Sequence, residues 1–206
     1  MSFEITTVLF DADGVVQTTS PGWLEAVASL SGRTEAPDAF LADVFAAEKP
    51  TLTGDGEFRP ALADVLARWR SPASVDEAVQ VWQMIEPQAA VLELADALRG
   101  TGIRVGLATN QQPERATFMT HSLGYQERFD DLFFSCELGY AKPDGAYFAA
   151  VLERLQQPAR KVLFVDDNLS NVEAARAEGL HARVYELETG RAGMIALLAE
   201  FGLTDG

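Results

Sequence analysis

Short runs of apolar and β-branched residues recur along the chain, and each run stops at polar residues typical of turns. Runs of this length and continuity are typical of strands that are buried on both faces of a parallel sheet. We therefore predict five strands, of which the last has the weakest pattern: residues 6–10, 104–108, 131–135, 161–165 and 182–185.

Between these runs, apolar residues recur at the three- and four-residue spacing of an amphipathic helix. Two such sets are Val91, Leu94, Ala95 and Leu98, and Phe148, Val151, Leu152 and Leu155. Pro113 and Pro143 suit first helical positions, and Gly124 and Gly179 suit positions just past a helix end. Strands that alternate with helices after residue 88 predict an α/β fold built on a doubly wound parallel sheet.

The region from residue 18 to about residue 87 breaks this alternation, because it contains helical stripes without a convincing strand. The stripes are Trp23, Val27 and Leu30; Phe40, Leu41, Val44 and Phe45; Leu62, Val65, Leu66 and Trp69; and Val75, Val79, Trp82 and Ile85. We therefore predict about four helices in an inserted α-helical cap domain at residues 17–87, and a core of residues 1–16 and 88–206. Two readings stay open here: Trp23 either packs inside the cap or lines a pocket, and the loop at 51–58 either faces a substrate or merely connects helices.

The amino-acid composition argues against nucleic-acid binding, a zinc site and a membrane span. Of the 206 residues 48% are hydrophobic, and 31 acidic against 16 basic residues give a net charge of -15, which argues against a nucleic-acid partner. One cysteine, Cys136, with His121 and His181 offers no clustered zinc site and fits a reducing compartment. No apolar run reaches the roughly 18 residues of a membrane span. We expect a cytoplasmic protein without a membrane partner, and no pattern indicates an oligomeric state.

Polar residues cluster just after four of the predicted strands, where the loops and helix starts of an open parallel sheet converge. They are Asp11 and Asp13 after the first strand, Thr109 and Asn110 after the second, Lys142 after the third, and Asp166 and Asp167 after the fourth. We therefore expect these distant segments to meet at one edge of one sheet.

Carboxylates gathered at one edge repel one another unless a cation lies among them, and oxygen ligands without His or Cys suit Mg²⁺ best. Mg²⁺ favours one or two carboxylates together with water and a substrate phosphate. We therefore expect Asp11, Asp167 and the backbone carbonyl of Asp13 to bind the ion, with Asp166 behind them.

An aspartate in such a place can attack phosphorus and carry the phosphoryl group, which divides one difficult displacement into two easier ones. Asp11 is placed for that nucleophilic role, and Asp13 can donate a proton to the leaving oxygen and later activate water. We expect Thr109 and Asn110 to hold phosphate oxygens at a helix amino terminus, and Lys142 to supply positive charge there.

Four segments, in this order and across almost the whole chain, resemble the four motifs of the haloacid dehalogenase superfamily. They are residues 10–16 (Phe-Asp-Ala-Asp-Gly-Val-Val), 109–110 (Thr-Asn), 142–144 (Lys-Pro-Asp) and 165–168 (Val-Asp-Asp-Asn). The resemblance implies a Rossmann-like core, a requirement for Mg²⁺, and a helical cap inserted between the first and second motifs.

Two positions refine this resemblance. The true dehalogenases of the superfamily lack the second aspartate of the first motif, so the presence of Asp13 favours phosphoryl transfer over dehalogenation. Asn171 stands where many relatives carry another aspartate. It either helps to bind the metal or steadies Lys142 and Asp167 through a hydrogen bond.

The expected function is therefore a Mg²⁺-dependent phosphatase that acts on a small phosphorylated substrate. Residues 107–111, 139–147 and 164–171 look closest to sugar-phosphate phosphatases and to the phosphatase domain of some epoxide hydrolases, so a sugar phosphate is a candidate substrate. One alternative is a phosphomutase, which has the same core residues but keeps water away from the phosphorylated aspartate. A second alternative is a non-catalytic binding module that has kept the fold.

Overall fold

A five-stranded parallel sheet lies at the centre of the computed structural model, which describes residues 4–32 and 37–203. The strands in chain order are β1 (Thr7–Phe10), β2 (Gln17–Thr19), β3 (Ile85–Pro87), β4 (Arg104–Thr109), β5 (Asp131–Phe134), β6 (Val162–Asp166) and β7 (His181–Val184). The central sheet has the order β5-β4-β1-β6-β7. All five predicted strands are confirmed, each within one residue of its predicted bounds.

The central strand β1 is paired on both sides, and its end lies close to the ends of both neighbouring strands. Phe10, its last residue, is opposite Leu107 of β4 and Val165 of β6. The backbone N–H of Asp11 then donates to the carbonyl oxygen of Val165 at 2.8 Å. The residue after β1 is thereby fixed between its two neighbours.

Helices cover both faces of this sheet and form the insertion. In chain order they are α1 (Trp23–Ser31), α2 (Pro37–Glu48), α3 (Phe58–Trp69), α4 (Val75–Trp82), α5 (Ala89–Gly100), α6 (Pro113–Thr117), α7 (Tyr125–Arg128), α8 (Ser135–Leu138), α9 (Gly145–Leu155), α10 (Leu169–Ala177) and α11 (Gly190–Ala199). Side chains alternate along β1, so Val8 packs with Leu94 of α5 on one face and Leu9 packs with Phe148 of α9 on the other. The doubly wound arrangement is confirmed. Within the described ranges, no helix is long and apolar enough to cross a membrane.

The helix starts agree with the sequence in one case and correct it in another. Pro113 is the first residue of α6, as predicted. Pro143 is not a first helical residue, because the Asp144 side chain caps α9 by accepting from the N–H of Ala146 at 2.9 Å and the helix begins at Gly145. Two glycines lie just past helical turns as predicted, with φ of 70° and 84°: Gly124 and Gly179.

The described part of the insertion, residues 17–32 and 37–87, has four α-helices that pack around an apolar core of their own. Phe40, Leu62 and Trp82 are buried together in it. The rings of Phe40 and Trp69 meet edge to face with centroids 5.5 Å apart. The predicted α-helical cap is confirmed as the second part of the fold.

The prediction of no strand between residues 18 and 87 is wrong. β2 and β3 pair antiparallel where the chain enters and leaves the insertion, with Thr19 opposite Ile85. Ile85 continues the helical spacing of Trp82, although α4 ends at Trp82. A strand of three residues is too short to show its own alternation, so spacing alone could not separate it from the helix. The domain borders at 16/17 and 87/88 stay a prediction.

Candidate active site

Strand ends bring the predicted polar residues to one edge of the sheet. Asp11 directly follows β1, Thr109 is the last residue of β4, and Asp166 is the last residue of β6. Lys142 reaches the same point from the segment between α8 and α9. The four distant segments therefore meet as the sequence predicted.

Lys142 lies at the centre of this cluster. Its Nζ donates to Asp11 Oδ1 at 2.7 Å, to Asp166 Oδ2 at 2.6 Å and to the carbonyl oxygen of Ala108 at 2.9 Å. Only 1% of the side chain is exposed. An ammonium group has three protons, and all of them are used here. A contact between Lys142 and a phosphate would therefore have to share or replace one of these bonds.

Asp11 and Asp167, two carboxylates near Lys142, have raised pKa values. Burial raises the pKa of Asp11 to about 6, the charge of Lys142 opposes this shift, and the charge of Asp166 adds to it. Burial and then Asp166 raise the pKa of Asp167. Burial disfavours the charge of Lys142, but Asp11 and Asp166 outweigh it and raise the lysine's pKa. One lysine thus balances only part of the negative charge.

Asp166 is fully buried, and its hydrogen bonds settle the position of Asn171. Oδ1 of Asp166 accepts from the backbone N–H of Asn168 at 2.8 Å and from Nδ2 of Asn171 at 3.0 Å. Oδ2 accepts from Asn171 at 3.1 Å as well as from Lys142. Asn171 therefore steadies Asp166, rather than contacting Lys142 or Asp167 as one reading of the sequence proposed.

The acidic groups at this edge of the sheet are placed to bind a divalent cation. One oxygen each from Asp11, Asp166 and Asp167 lies within 4.8 Å of the others. Because Asp166 is already bound on both oxygens, Asp11 and Asp167 are the carboxylates left for an ion, and an all-oxygen set suits Mg²⁺. Gly14, with φ of 84°, lies so close that a Cβ there would overlap the Asp167 carboxylate.

Asp13 is held by three side chains that the sequence did not predict. Its Oδ1 accepts from Gln17 at 3.0 Å and from Arg115 at 2.8 Å, and its Oδ2 accepts from Gln111 at 2.7 Å. Burial alone would raise the pKa of Asp13, but Arg115 and the hydrogen bonds lower it. In this arrangement Asp13 is a carboxylate, the form that a general base needs.

Thr109 and Asn110 take different places from those expected. Thr109 is buried at the end of β4, with its Oγ1 3.4 Å from Nε2 of Gln111. The Asn110 amide donates to the carbonyl oxygen of Lys142 at 2.8 Å and accepts from its N–H at 2.8 Å. Neither residue is at a helix start, because α6 begins at Pro113. Asn110 thus orients Lys142 and also lines the cavity described next.

A cavity of about 440 Å³ lies between the sheet edge and the cap. The core contributes polar side chains to it, among them Asp13, Asp167 and Arg115. The cap side contributes mainly apolar side chains, which are Trp23, Phe45, Leu52 and Trp82, with Met84 just beyond α4. The cavity therefore has a polar floor and an apolar roof.

Both open readings of the cap are now decided. Trp23 lines the cavity and also packs against Trp82, with ring centroids 6.1 Å apart, so the two readings hold together. In the loop at 51–58, Leu52 faces the cavity. Gly54 approaches the core so closely that a Cβ would lie 2.8 Å from the carbonyl oxygen of Cys136. This loop is more than a connector.

Besides Gln17 and Gln111, the sequence analysis missed two charged residues of the site, Arg115 and Glu48. Arg115 lies 102 positions after its partner Asp13, so no local pattern links them. Glu48 ends α2 and lines the cavity from the cap. Burial raises the pKa of Glu48 to about 7, against the attraction of Arg115 and a hydrogen bond from Trp82.

Comparison with known proteins agrees with this geometry. Residues 5–179 match the family model described as haloacid dehalogenase-like hydrolase. The phosphorylated carbohydrates phosphatase of Thermotoga maritima is 28% identical over 205 residues, which is 93% of this chain and 93% of that protein. The sesquiterpene phosphatase of Aspergillus oryzae is 34% identical over 97 residues, which is 47% of this chain and 49% of that protein.

A solved structure shares the fold. It is that of a HAD family enzyme from Bacteroides thetaiotaomicron in complex with magnesium and inorganic phosphate. The two chains are 19% identical and align with a TM-score of 0.73 over 87% of this chain and 93% of that chain. The likeness concerns the overall fold.

Proposed function

This chain belongs to the haloacid dehalogenase-like hydrolase family, and on that basis we propose that it is a Mg²⁺-dependent phosphatase in which Asp11 carries the phosphoryl group. Relatives that align over most of its length are phosphatases, so hydrolysis of a phosphoric monoester is its class of reaction. The family and these relatives decide against a non-catalytic module.

The observation that carries the proposal is the position of Asp11. Lys142 binds one of its oxygens at 2.7 Å, which fixes the direction of the carboxylate. Its side chain stays 10% exposed, and the nearby Asp167 lines the cavity. A carboxylate that is buried, oriented and next to a polar cavity floor has the properties of a nucleophile.

Two displacements at phosphorus account for the reaction. Asp13 is a carboxylate in this arrangement, so it must first take up a proton when the substrate binds. An oxygen of Asp11 then attacks phosphorus, and the bond from phosphorus to the ester oxygen breaks as Asp13 donates that proton to the ester oxygen. Asp13 then takes a proton from a water molecule, which attacks phosphorus and breaks its bond to Asp11. Inorganic phosphate and an alcohol leave, and both aspartates return to their starting forms.

The neighbouring residues support these two steps. Asp11, Asp167 and the backbone carbonyl of Asp13 would hold Mg²⁺, which when bound neutralises charge on the phosphoryl oxygens. Lys142 adds positive charge at the attacking carboxylate, and Asn110 orients Lys142 through its backbone. We still assign Thr109 and Asn110 to the phosphate oxygens, although neither lies at a helix start and only Asn110 lines the cavity.

The test is a phosphate-release screen over sugar phosphates, nucleotides and small organic phosphates, with and without Mg²⁺. We expect release that requires Mg²⁺, no turnover by Asp11→Asn, and a loss of roughly 10² to 10⁴ in rate for Asp13→Asn, the usual contribution of a general acid or base. Asp64→Asn, an exposed carboxylate on α3, is the matched control and should keep full activity.

Three results would contradict the proposal in different ways. Undiminished release by Asp11→Asn would remove the nucleophile assignment. Full activity after chelation of divalent ions would remove the Mg²⁺ requirement. Isomerisation of a sugar phosphate with little free phosphate would identify the phosphomutase instead.

A further inference from the structure

The roof of the cavity is built from large apolar side chains of separate elements. Trp23 comes from α1, Phe45 from α2, Leu52 from the turn after α2, and Trp82 from α4. The ring of Trp82 lies 6.1 Å from that of Trp23 and 6.4 Å from that of Phe45, so the three form one aromatic cluster. Phe45 is nevertheless 48% exposed. When an apolar group covers an exposed aromatic ring at a cavity, the free energy falls, because apolar surface is removed from water.

Several polar groups around the cavity already have partners. The Glu48 carboxylate accepts a hydrogen bond from Trp82. The Thr18 hydroxyl accepts from Nε2 of Gln88 at 3.3 Å, and Asn110 is bound to the backbone of Lys142. A sugar ring brings several hydroxyls, and each one that loses water without gaining a hydrogen-bond partner weakens binding. The roof is therefore poorly suited to a polyhydroxylated ring.

The charges of the lining disfavour an anionic alcohol part. Glu48 is the acidic group of the cap side, and a substrate carboxylate beneath the roof would meet it. Among the described lining residues, Arg115 is the basic one, and it is bound to Asp13 at 2.8 Å. A second negative charge on the substrate would thus face repulsion without a free cation to offset it.

From this lining we propose that the site selects phosphomonoesters whose alcohol part is uncharged and mainly apolar, over sugar phosphates and over esters that carry a carboxylate. The inference rests on the proposed phosphatase function and adds its substrate class. The phosphate lies on the polar floor near Asp167, and the alcohol part lies under Trp23, Phe45 and Trp82.

Two matched substrate pairs test this class in the wild-type enzyme with Mg²⁺. Cyclohexylmethyl phosphate has the ring size and the CH₂–O–P linkage of glucose 6-phosphate without its hydroxyls. Isobutyl phosphate has the shape of phosphoglycolate but carries two methyl groups in place of the carboxylate oxygens, so it lacks the carboxylate charge. We expect kcat/KM to be at least about tenfold higher for the apolar member of each pair, since differences of this size follow from small changes in an apolar pocket.

Variants connect the preference to the roof. Phe45→Ala should lower kcat/KM for cyclohexylmethyl phosphate about tenfold and have a smaller effect on glucose 6-phosphate. Leu24→Ala is the control, because Leu24 is 64% exposed on the same cap but is not among the lining residues. Glu48→Gln should raise kcat/KM for phosphoglycolate relative to that for isobutyl phosphate, because it removes the charge that repels the substrate carboxylate.

The possible results distinguish failure of the proposed substrate class from failure of the proposed phosphatase function. Glucose 6-phosphate or phosphoglycolate turned over as well as its apolar partner would overturn the substrate class and leave the phosphatase standing. A Phe45→Ala enzyme with an unchanged ratio would also overturn it. No phosphate from any ester would overturn the phosphatase and the substrate class together.

Discussion

The charge on single residues dominates the site. Asp11 and Asp166 are both buried, and Lys142 is bound to each of them. Arg115 plays a similar part for Asp13, whose pKa it lowers. Asp13 therefore stays a carboxylate while Arg115 binds it, and proton donation in the first step requires that Arg115 releases Asp13 and that Asp13 gains a proton.

Replacement of Lys142 by methionine tests this balance. Lys142→Met keeps most of the side-chain volume but leaves Asp11 and Asp166 without their cation, and loss of one partner of a buried ion pair costs about 3–5 kcal/mol. We expect a loss of that size in the free energy of unfolding, measured by urea denaturation of the metal-free protein, together with loss of phosphate release.

Lys161→Met is the matched control, because Lys161 is paired at 3.2 Å with Glu4, whose side chain is 80% exposed. An exposed pair contributes about 0–1 kcal/mol. Equal destabilisation by the two variants would show that Lys142 has no special part in stability.

At the scale of elements, the turn after β1 shapes the site. Gly14 follows Asp13 with φ of 84°, a conformation that residues with a Cβ rarely adopt. It also lies against Asp167, which follows β6. The turn thus sets the distance between the first and fourth motifs.

Gly14→Ala should disrupt the site more than the fold. The left-handed conformation costs an alanine about 1–2 kcal/mol, and the new Cβ would also displace the Asp167 carboxylate. We expect Mg²⁺-dependent phosphate release to fall strongly while far-ultraviolet circular dichroism stays native.

Gly102→Ala is the control that separates the effect of backbone strain from the effect of the steric clash with Asp167. Gly102 has φ of 90° and no atom within 4 Å of an added Cβ, so it has the same backbone cost without the clash. It should lose a similar amount of stability and keep its activity. Comparable losses of activity in both variants would refute the importance of the contact with Asp167.

At the scale of the whole molecule, the cap and the core form one cavity and share charged contacts. Arg59 of α3 donates to Glu114 of α6 at 2.9 Å. Glu48 of α2 faces Arg115 and Asp13 of the core, and its pKa of about 7 reflects burial between the two parts. Burial of the Glu48 carboxylate between the cap and the core therefore has an electrostatic cost.

This cost predicts a pH-dependent effect of Glu48→Gln. The pKa of Glu48 rises from 4.5 to about 7 on folding, so the folded state binds the proton more tightly and stability falls as pH rises through that window. At pH 8 the variant should have a Tm higher by about 2–4 °C, equivalent to ~1 kcal/mol, whereas at pH 5 the difference should be smaller.

Thermal unfolding at both pH values is the measurement, and Glu93→Gln is the control. Glu93 is exposed in the middle of α5 and should show the same small effect at pH 5 and pH 8. A Glu48→Gln protein less stable than wild type at pH 8 would mean that the bond to Trp82 and the attraction of Arg115 outweigh the burial.

The limits of the sequence analysis have physical causes. Pro143 has the features of a helix start, yet Asp144 is the better N-cap acceptor and decided where α9 begins. Ile85 has helical spacing from Trp82, yet it pairs with Thr19. The first case was a choice between two local signals, whereas the second needed a strand pairing that forms only in the folded chain.

The sequence by itself determined the five strands of the central sheet, the four cap helices and the acidic residues at the strand ends, because apolar runs and the polar turns after them are local features. Only the tertiary structure decided the partners of those acids. Arg115 meets Asp13 across 102 positions, and Lys142 meets Asp11 across 131. The apolar roof with Glu48 was equally beyond reach, since a stripe of apolar residues on a helix does not reveal which of them face a cavity rather than the cap core.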